Sequence, residues 1–579
     1  MTVGCKGRSK PKTTSSQGSQ RSAGISSEHN EELLTFTIEG LNRVEEFSSG
    51  DVVAQMFQRV KERAEAKPDQ VGDTLLITWP EPEMLRQSVN RLNQWLRAQS
   101  PIADWTPDPM LSSLPPKYAE LPLVKGIESL ELSRFDGFAL QEAVWLRDTS
   151  LWARGDALDD LERAKSLFDW TVRNIQVDPQ GADWTPQFPW ETLLYGRGAA
   201  EDRAWLFIML ARQQGIDASL LALPPLAENN GQAAKDETPA AKDEAQAAKA
   251  ESADPLKEMP GQSDEKKDVA STTPRPWCIG VLVEKDIYLF DPTLGLPIPG
   301  PDGVRRNDAG QLSIQPATLA QVAADDHLLR RLDIDDTQKY WVKSSDLQRV
   351  TALLEGSPAY LSQRMQLLES HLAGAQKMVL TCAPTPQAAR WKAANVADAQ
   401  LWLWPFETIV ARSHMSPKAI EARLMFLLPF YSDRATPLLR GRILHLKGKL
   451  VDSEGAIKFY QDARPSNQDL AEASIHPMAK QLQFLAKQNA SYWAGLVSYQ
   501  RAEYRAAIDY FKTRTLEVAP NGPWTAGAQY NLARTYEASG ETDWAVLQYE
   551  MNGAAVGGHG DFLRAKWLKE IGQAGEKKP

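Results

Sequence analysis

The chain has 579 residues, more than one compact core accommodates, since cores stop growing near ~250–300 residues; several domains are expected. Hydrophobic (42%) and charged (24%) fractions are those of a globular protein, and a net charge of −10 without a basic cluster interleaved with aromatics argues against nucleic-acid binding. Cys5, Cys278 and Cys382 are too few and too scattered for a disulfide framework, no CxxC or HExxH spacing offers a metal site, and no cofactor is expected.

Residues 1–29 read as a polar, disordered tether. Within it, Val3-Gly4-Cys5 ahead of a Ser/Gln/Gly/Lys-rich stretch resembles the end of a bacterial lipoprotein signal. That resemblance implies a lipid on Cys5 and a place in the cell envelope, provided the true start lies upstream of Met1. Without it, Cys5 is a free thiol in a polar tail and the protein is cytoplasmic. No run of ~18 apolar residues exists, so membrane contact is expected only through such an anchor.

Residues 30–105 read as a small α/β unit. It comprises a strand at Glu32–Leu41, a helix at Asp51–Ala66, a strand at Asp73–Pro80, and a helix opened by Pro82 and carrying Leu85, Val89, Leu92 and Trp95. The proline-rich stretch 106–133 is expected to be an extended connector.

Residues 134–303 change to a compact α+β pattern. A helix over Leu158–Gln176 puts Leu161, Ala164, Leu167, Phe168 and Val172 on one face, with Asp159 and Asp160 at its positive end. The glycine turn in "GRGAAEDRAWLFIMLARQQGI" (196–216) leads into an apolar helix. Ile216–Pro224 reads as a strand and Trp277–Thr293 as a hairpin turning at Glu284-Lys285-Asp286. Between them, 227–273 has no aromatic residue and repeats "AAKDE", so an acidic disordered insertion is expected.

Residues 304–435 read as helical, and 436–575 as helical repeats. "AGLVSYQRAEYRAAIDYF" and "LARTYEASGETDWAVLQY" align Gly495, Ala507 and Phe511 with Ala533, Ala545 and Tyr549 at a constant offset of 38 (533 − 495). This resembles the tetratricopeptide pattern, with a looser third copy at Arg442–Tyr460. The resemblance implies a concave surface that holds an unidentified protein or peptide partner.

The 196–216 helix, the strand after it and the "DPT" at 291–293 resemble the transglutaminase-like (papain-fold) superfamily. The resemblance implies a cysteine at the helix mouth, a histidine opening the next strand as its base, and an aspartate orienting that histidine. Carried over residue by residue, those positions hold Ala200, Trp277 and Asp291, and no histidine occurs between His29 and His327. The expected fold class is therefore an α+β domain with a degenerate triad, followed by an all-α repeat region. The expected function is a non-catalytic interaction or scaffold module, with Trp277 filling space beside Ala200. The alternative is a peptide or amide hydrolase or transferase with a displaced nucleophile, Cys278 or a carboxylate of the Glu201–Asp202 pair.

Overall fold

The computed structural model describes residues 27–48, 83–180, 184–225, 274–307, 310–451, 453–466, 468, 470 and 477–576. Cys5, the helix expected at 51–66, the strand expected at 73–80 and the 227–273 insertion lie outside these residues.

The strand expected at Glu32–Leu41 is instead part of helix α1 (Ser27–Leu41). Leu34, Phe36 and Ile38 alternate as in a strand, but Phe36 is 58% exposed while Leu34, Thr37, Ile38 and Leu41 are buried, so the operating period is helical. The helix after Pro82 forms as expected (α2, Glu83–Leu96), burying Leu85, Leu92 and Trp95. Both helices join the main core, and α2 packs against α3 (Arg134–Ala153).

The 106–133 connector is not extended throughout. It folds into three short turns, Pro109–Ser113, Pro116–Ala119 and Pro122–Lys125, each with proline in its first position. The preceding Asp108, Pro115 and Leu121 have ψ of 127°, 143° and 135°, so each proline holds its predecessor out of the helix and pre-sets the turn after it.

α4 (Asp160–Asn174) is capped by Asp159, whose carboxylate accepts from the Glu162 amide. Strand β1 (Gln176–Val177), α5 (Pro189–Tyr195), β2 (Arg197–Gly198) and α6 (Ala200–Gln213) follow, with β1 and β2 paired in parallel. β3 (Asp217–Leu223), β4 (Arg275–Val283), β5 (Asp286–Asp291) and β6 (Leu296–Pro297) are antiparallel neighbours. The β4–β5 turn falls at Glu284-Lys285, where Glu284 has φ +56°. β7 (Pro299–Arg306) and β8 (Leu312–Pro316) form a separate hairpin.

The stretch 304–435 is not purely helical. β9 (Thr351–Leu354) pairs antiparallel with β3, and β10 (Asp398–Leu401) pairs parallel with β9, giving the sheet order β10-β9-β3-β4-β5-β6. Strands of four residues are too short for a period-two pattern to register, and pairing supplies what propensity does not. Helices α7 (Gln363–His371) and α8 (Pro384–Ala393) lie between them in sequence, and α9 (Trp404–Ser413) and α10 (Pro417–Leu427) follow. One sheet face packs on α6 through Leu220, Ile279, Val281 and Phe290; the other forms a second core with Leu221, Cys278 and Leu289.

The chain then continues as helices: α11 (Pro437–Leu446), α12 (Ala456–Asp462), α13 (Pro477–Gln500), α14 (Tyr504–Ile508, continued by a wider turn over Asp509–Leu516), α15 (Thr525–Ala538), α16 (Thr542–Met551) and α17 (Gly558–Glu576). A Cβ on Gly495 would sit 2.6 Å from the Phe511 ring, so the glycine is what lets α13 and the turn after α14 meet. Ala507, Ala533, Ala545 and Tyr549 are likewise fully buried.

Buried polar groups cross-link these layers. Glu142 of α3 accepts from the Trp190 amide (3.0 Å) and the Tyr360 hydroxyl (3.0 Å). Burial pushes its carboxyl up to about 8, against both hydrogen bonds. An unfolded glutamate titrates near ~4.3, so between the two values the native state keeps a proton that the unfolded chain has released. Stability from this group is full below the unfolded value and is lost as pH rises through about 8. Glu142→Gln should therefore gain on the parent by on the order of 1 kcal/mol per pH unit from about pH 5.5 to 8. Denaturant unfolding of both proteins across that range checks this; a constant difference contradicts it.

Candidate functional site at the mouth of α6

α5 ends at Gly196, whose φ of +68° reverses the chain toward α6. Space there is also closed: a Cβ would approach Trp493 Nε1, Arg442 Nη2 and the Asn174 carbonyl at 3.1–3.3 Å. Ala199, at the N-cap, has no side chain to satisfy the first amides of α6. Asp202, three residues on, takes that role by reaching back to the Ala199 amide at 2.9 Å. Its other oxygen accepts from the Gln187 amide and Trp404 Nε1, both at 3.2 Å. Burial pushes the Asp202 carboxyl up to about 7. Asp202 is thus consumed in holding the helix entrance together, while its neighbour Glu201 opens outward and accepts from Gln180 Nε2 (3.2 Å). They do not form an acid/base couple. Ala200, between cap and carboxylates, is half-buried and presents a methyl group.

β4 brings a rearrangement that the sequence does not announce. Ala222 pairs with Pro276 and Leu221 with Cys278, so Trp277 is the extra residue of a β-bulge. Because Ala222 belongs to the α6 side of the sheet and Leu221 to the other, Pro276 occupies the position facing α6. Trp277 lies instead in the second core, where its indole N–H donates to the Tyr340 hydroxyl (2.8 Å). The expectation that this ring fills space beside Ala200 is corrected: the bulge turns it to the opposite face.

Asp291 is buried at the end of β5. One oxygen accepts from the Thr293 and Leu294 amides (2.8 and 2.9 Å) and the other from the Tyr340 hydroxyl (2.7 Å). Trp277, Tyr340 and Asp291 therefore form one buried chain of hydrogen bonds, and Ala200 is not part of it. Burial raises the Asp291 carboxyl above its ordinary value despite these donors. Tyr340→Phe should leave both the indole N–H and a carboxylate oxygen without partners and cost about 1–3 kcal/mol. Urea unfolding measures this; an unchanged midpoint contradicts the arrangement.

Cys278 is fully buried in the same core, and burial followed by the Asp291 charge pushes its thiol well above the ordinary range. Such a thiol stays protonated and unreactive. The sequence also left Tyr340 and His559 unnoticed. His559, on α17, is brought near enough to Asp291 to act on its charge, but its Nε2 is hydrogen-bonded to the Leu332 carbonyl at 2.7 Å. Neither residue carries a motif signal, since one sits in an irregular loop and the other reaches the site from the far end of the chain.

Above the mouth of α6 lies a cleft of about 780 Å³. Glu201, Pro276, Leu401, Trp402, Trp404 and Glu407 are among the residues that line it. Among the described residues no group of His, Cys, Asp and Glu is arranged to hold a metal ion, and no helix is long and apolar enough to cross a membrane.

No curated protein and no solved structure matches the chain. Residues 151–246 match the family model of the transglutaminase-like superfamily. That span contains the glycine turn, Ala200 and all of α6, and it ends before Trp277 and Asp291. The chain thus carries a transglutaminase-like domain, and the matched span includes α6 with Ala200 as its first residue.

Proposed function

We propose that this protein is a non-catalytic, transglutaminase-like interaction module. In this reading the helices of 436–575 are tetratricopeptide-like repeats that hold a protein or peptide partner, and a lipid on Cys5 tethers the whole to the cell envelope. One observation carries the reading: a methyl group at Ala200 stands at the mouth of α6. An alanine has no lone pair for attack, and acyl transfer needs both a nucleophile and a base in reach of it. The competing reading, an amide hydrolase or transferase with Cys278 as displaced nucleophile, is opposed by that thiol's burial. The close packing of Gly495 on Phe511 supports the repeat reading.

The test is ammonia release from a glutamine-containing peptide, with and without a primary amine and with and without iodoacetamide. The expected result is no release above the blank in any arm. Release that iodoacetamide abolishes would overturn the proposal. Labelling with a radioactive fatty acid in cells checks the tether: label lost in Cys5→Ser supports it, and an unlabelled protein removes it.

A further inference from the structure

We propose that the cavity between α6 and the start of α17 binds a small zwitterion of glycine's size, its carboxylate against Arg203 and its ammonium group against Asp561. The site does not depend on the interaction-module reading.

The first observation is a pair of buried opposite charges that do not meet. Arg203, on α6, is 6% exposed and donates only to backbone carbonyls: Ile175 from Nε (3.1 Å) and from Nη2, and Pro292 from Nη1 (2.8 Å). That leaves N–H bonds of the guanidinium uncommitted. Asp561, in the first turn of α17, is 4% exposed. One of its oxygens accepts from Asn552 Nδ2 (2.6 Å), and among the described residues nothing donates to the other. Arg203 and Asp561 lie near enough to act on each other's charge, yet among the described residues neither forms an ion pair. The other ions that act on them are already held: Arg564 and Arg534 by Glu537 and Asp169, and Asp178 by Arg197. Burial pushes the Asp561 carboxyl up to about 7 and the Arg203 guanidinium down to about 10, as it does for charges without full compensation.

The second observation is the space between them. Both residues line one cavity of about 50 Å³, whose wall includes the small residues Ala526, Gly527, Ala555 and Gly557. They also approach one turn from two sides. Arg203 holds the Pro292 carbonyl, while a Cβ on Gly560, next to Asp561, would fall 1.9 Å from the Leu294 carbonyl oxygen. So small a cavity puts both charges within reach of one ligand. A water takes ~10–15 Å³ on this measure, which leaves room for roughly four or five non-hydrogen atoms. Thr293, which is exposed, lines the cavity and gives a way in from solvent. Charge selects the ligand. Water leaves both ions uncompensated, and a lone anion or cation that suits one is repelled by the other. A molecule with one charge of each sign satisfies both.

The probe is glycine, titrated into the full chain and followed by saturation-transfer NMR at mildly alkaline pH, where Asp561 is ionised. Acetate and methylammonium, each with one of glycine's two charges, are titrated alongside, and glycine is also titrated into the D561N variant. Glycine should bind with a Kd of about 1 mM or tighter, within what a ligand of so few atoms can reach. Each single-charge probe, and glycine on the variant, should bind at least about tenfold more weakly. Glycine binding weaker than about 1 mM, or absent, assigns the cavity to ordered water and overturns the proposal. Equal binding by acetate, by methylammonium or by the variant overturns it as well. Asparagine at 561 keeps the side chain's shape and an acceptor for Asn552; if the variant nevertheless fails to fold, the two single-charge probes decide the matter on the parent protein.

Discussion

Glu191→Ala is expected to cost about 3–5 kcal/mol, because it removes a buried carboxylate that two buried guanidiniums share. Glu191, on α5, meets Arg412 of α9 at 2.9 Å and Arg423 of α10 at 2.5 Å, with all three side chains 5% exposed or less. Its carboxylate also accepts from the Phe188 amide (3.0 Å) at the start of its own helix. One residue thus fastens the helix before the glycine turn to two helices more than two hundred positions away. Taking a shared, buried carboxylate from two buried cations is far more damaging than losing a surface pair. Calorimetry should show a marked fall in the melting temperature of the domain. A triple variant with Arg412→Met and Arg423→Met added should recover most of the loss, because the buried cations are removed as well. A Glu191→Ala protein that melts like its parent contradicts this account.

Glu537→Ala should cause a loss of similar size. Glu537, on α15, accepts from Arg564 of α17 at 2.8 and 2.9 Å and from the Tyr549 hydroxyl of α16 at 2.7 Å, and takes the Leu312 amide of β8 at 2.8 Å. The carboxylate therefore joins three successive helices to the β7–β8 hairpin. Burial alone would raise it, but the Arg564 and Arg534 guanidiniums outweigh that and hold it below the ordinary carboxylate range. A lowered carboxyl contributes stability above the unfolded value and loses it as pH falls through the folded one. The variant should thus be about 3–5 kcal/mol less stable at neutral pH. Part of that deficit should vanish in acid, where the parent loses the same interaction. Urea unfolding at neutral and acidic pH reads both effects, and a pH-independent difference would contradict the ion-pair origin.

The frame of the site was legible because it depends on local chemistry. Gly196 needs a left-handed conformation, and the apolar run of α6 leaves no doubt about a buried helix. The hairpin turn at Glu284-Lys285 and the Asp291 turn are also short-range features. What stayed hidden is decided over long distances. α1 carries an apparent strand alternation that tertiary burial overrides, leaving Phe36 exposed. Trp277 stands where sequence order puts a base, yet one bulged residue moves it across the sheet. Tyr340 and His559 come to Asp291 from elements with no pattern that links them to it. β9 exists because β3 offers it an edge, and β10 because β9 does.

The most direct measurement is the intact mass of the protein, quenched in acid during incubation with an acyl donor such as a glutamine peptide or an activated ester. With no attacking atom at Ala200 and a buried, protonated Cys278, the mass should stay that of the unmodified chain at every time point. An acyl adduct that appears and decays on any side chain of residues 134–303 would contradict the central claim.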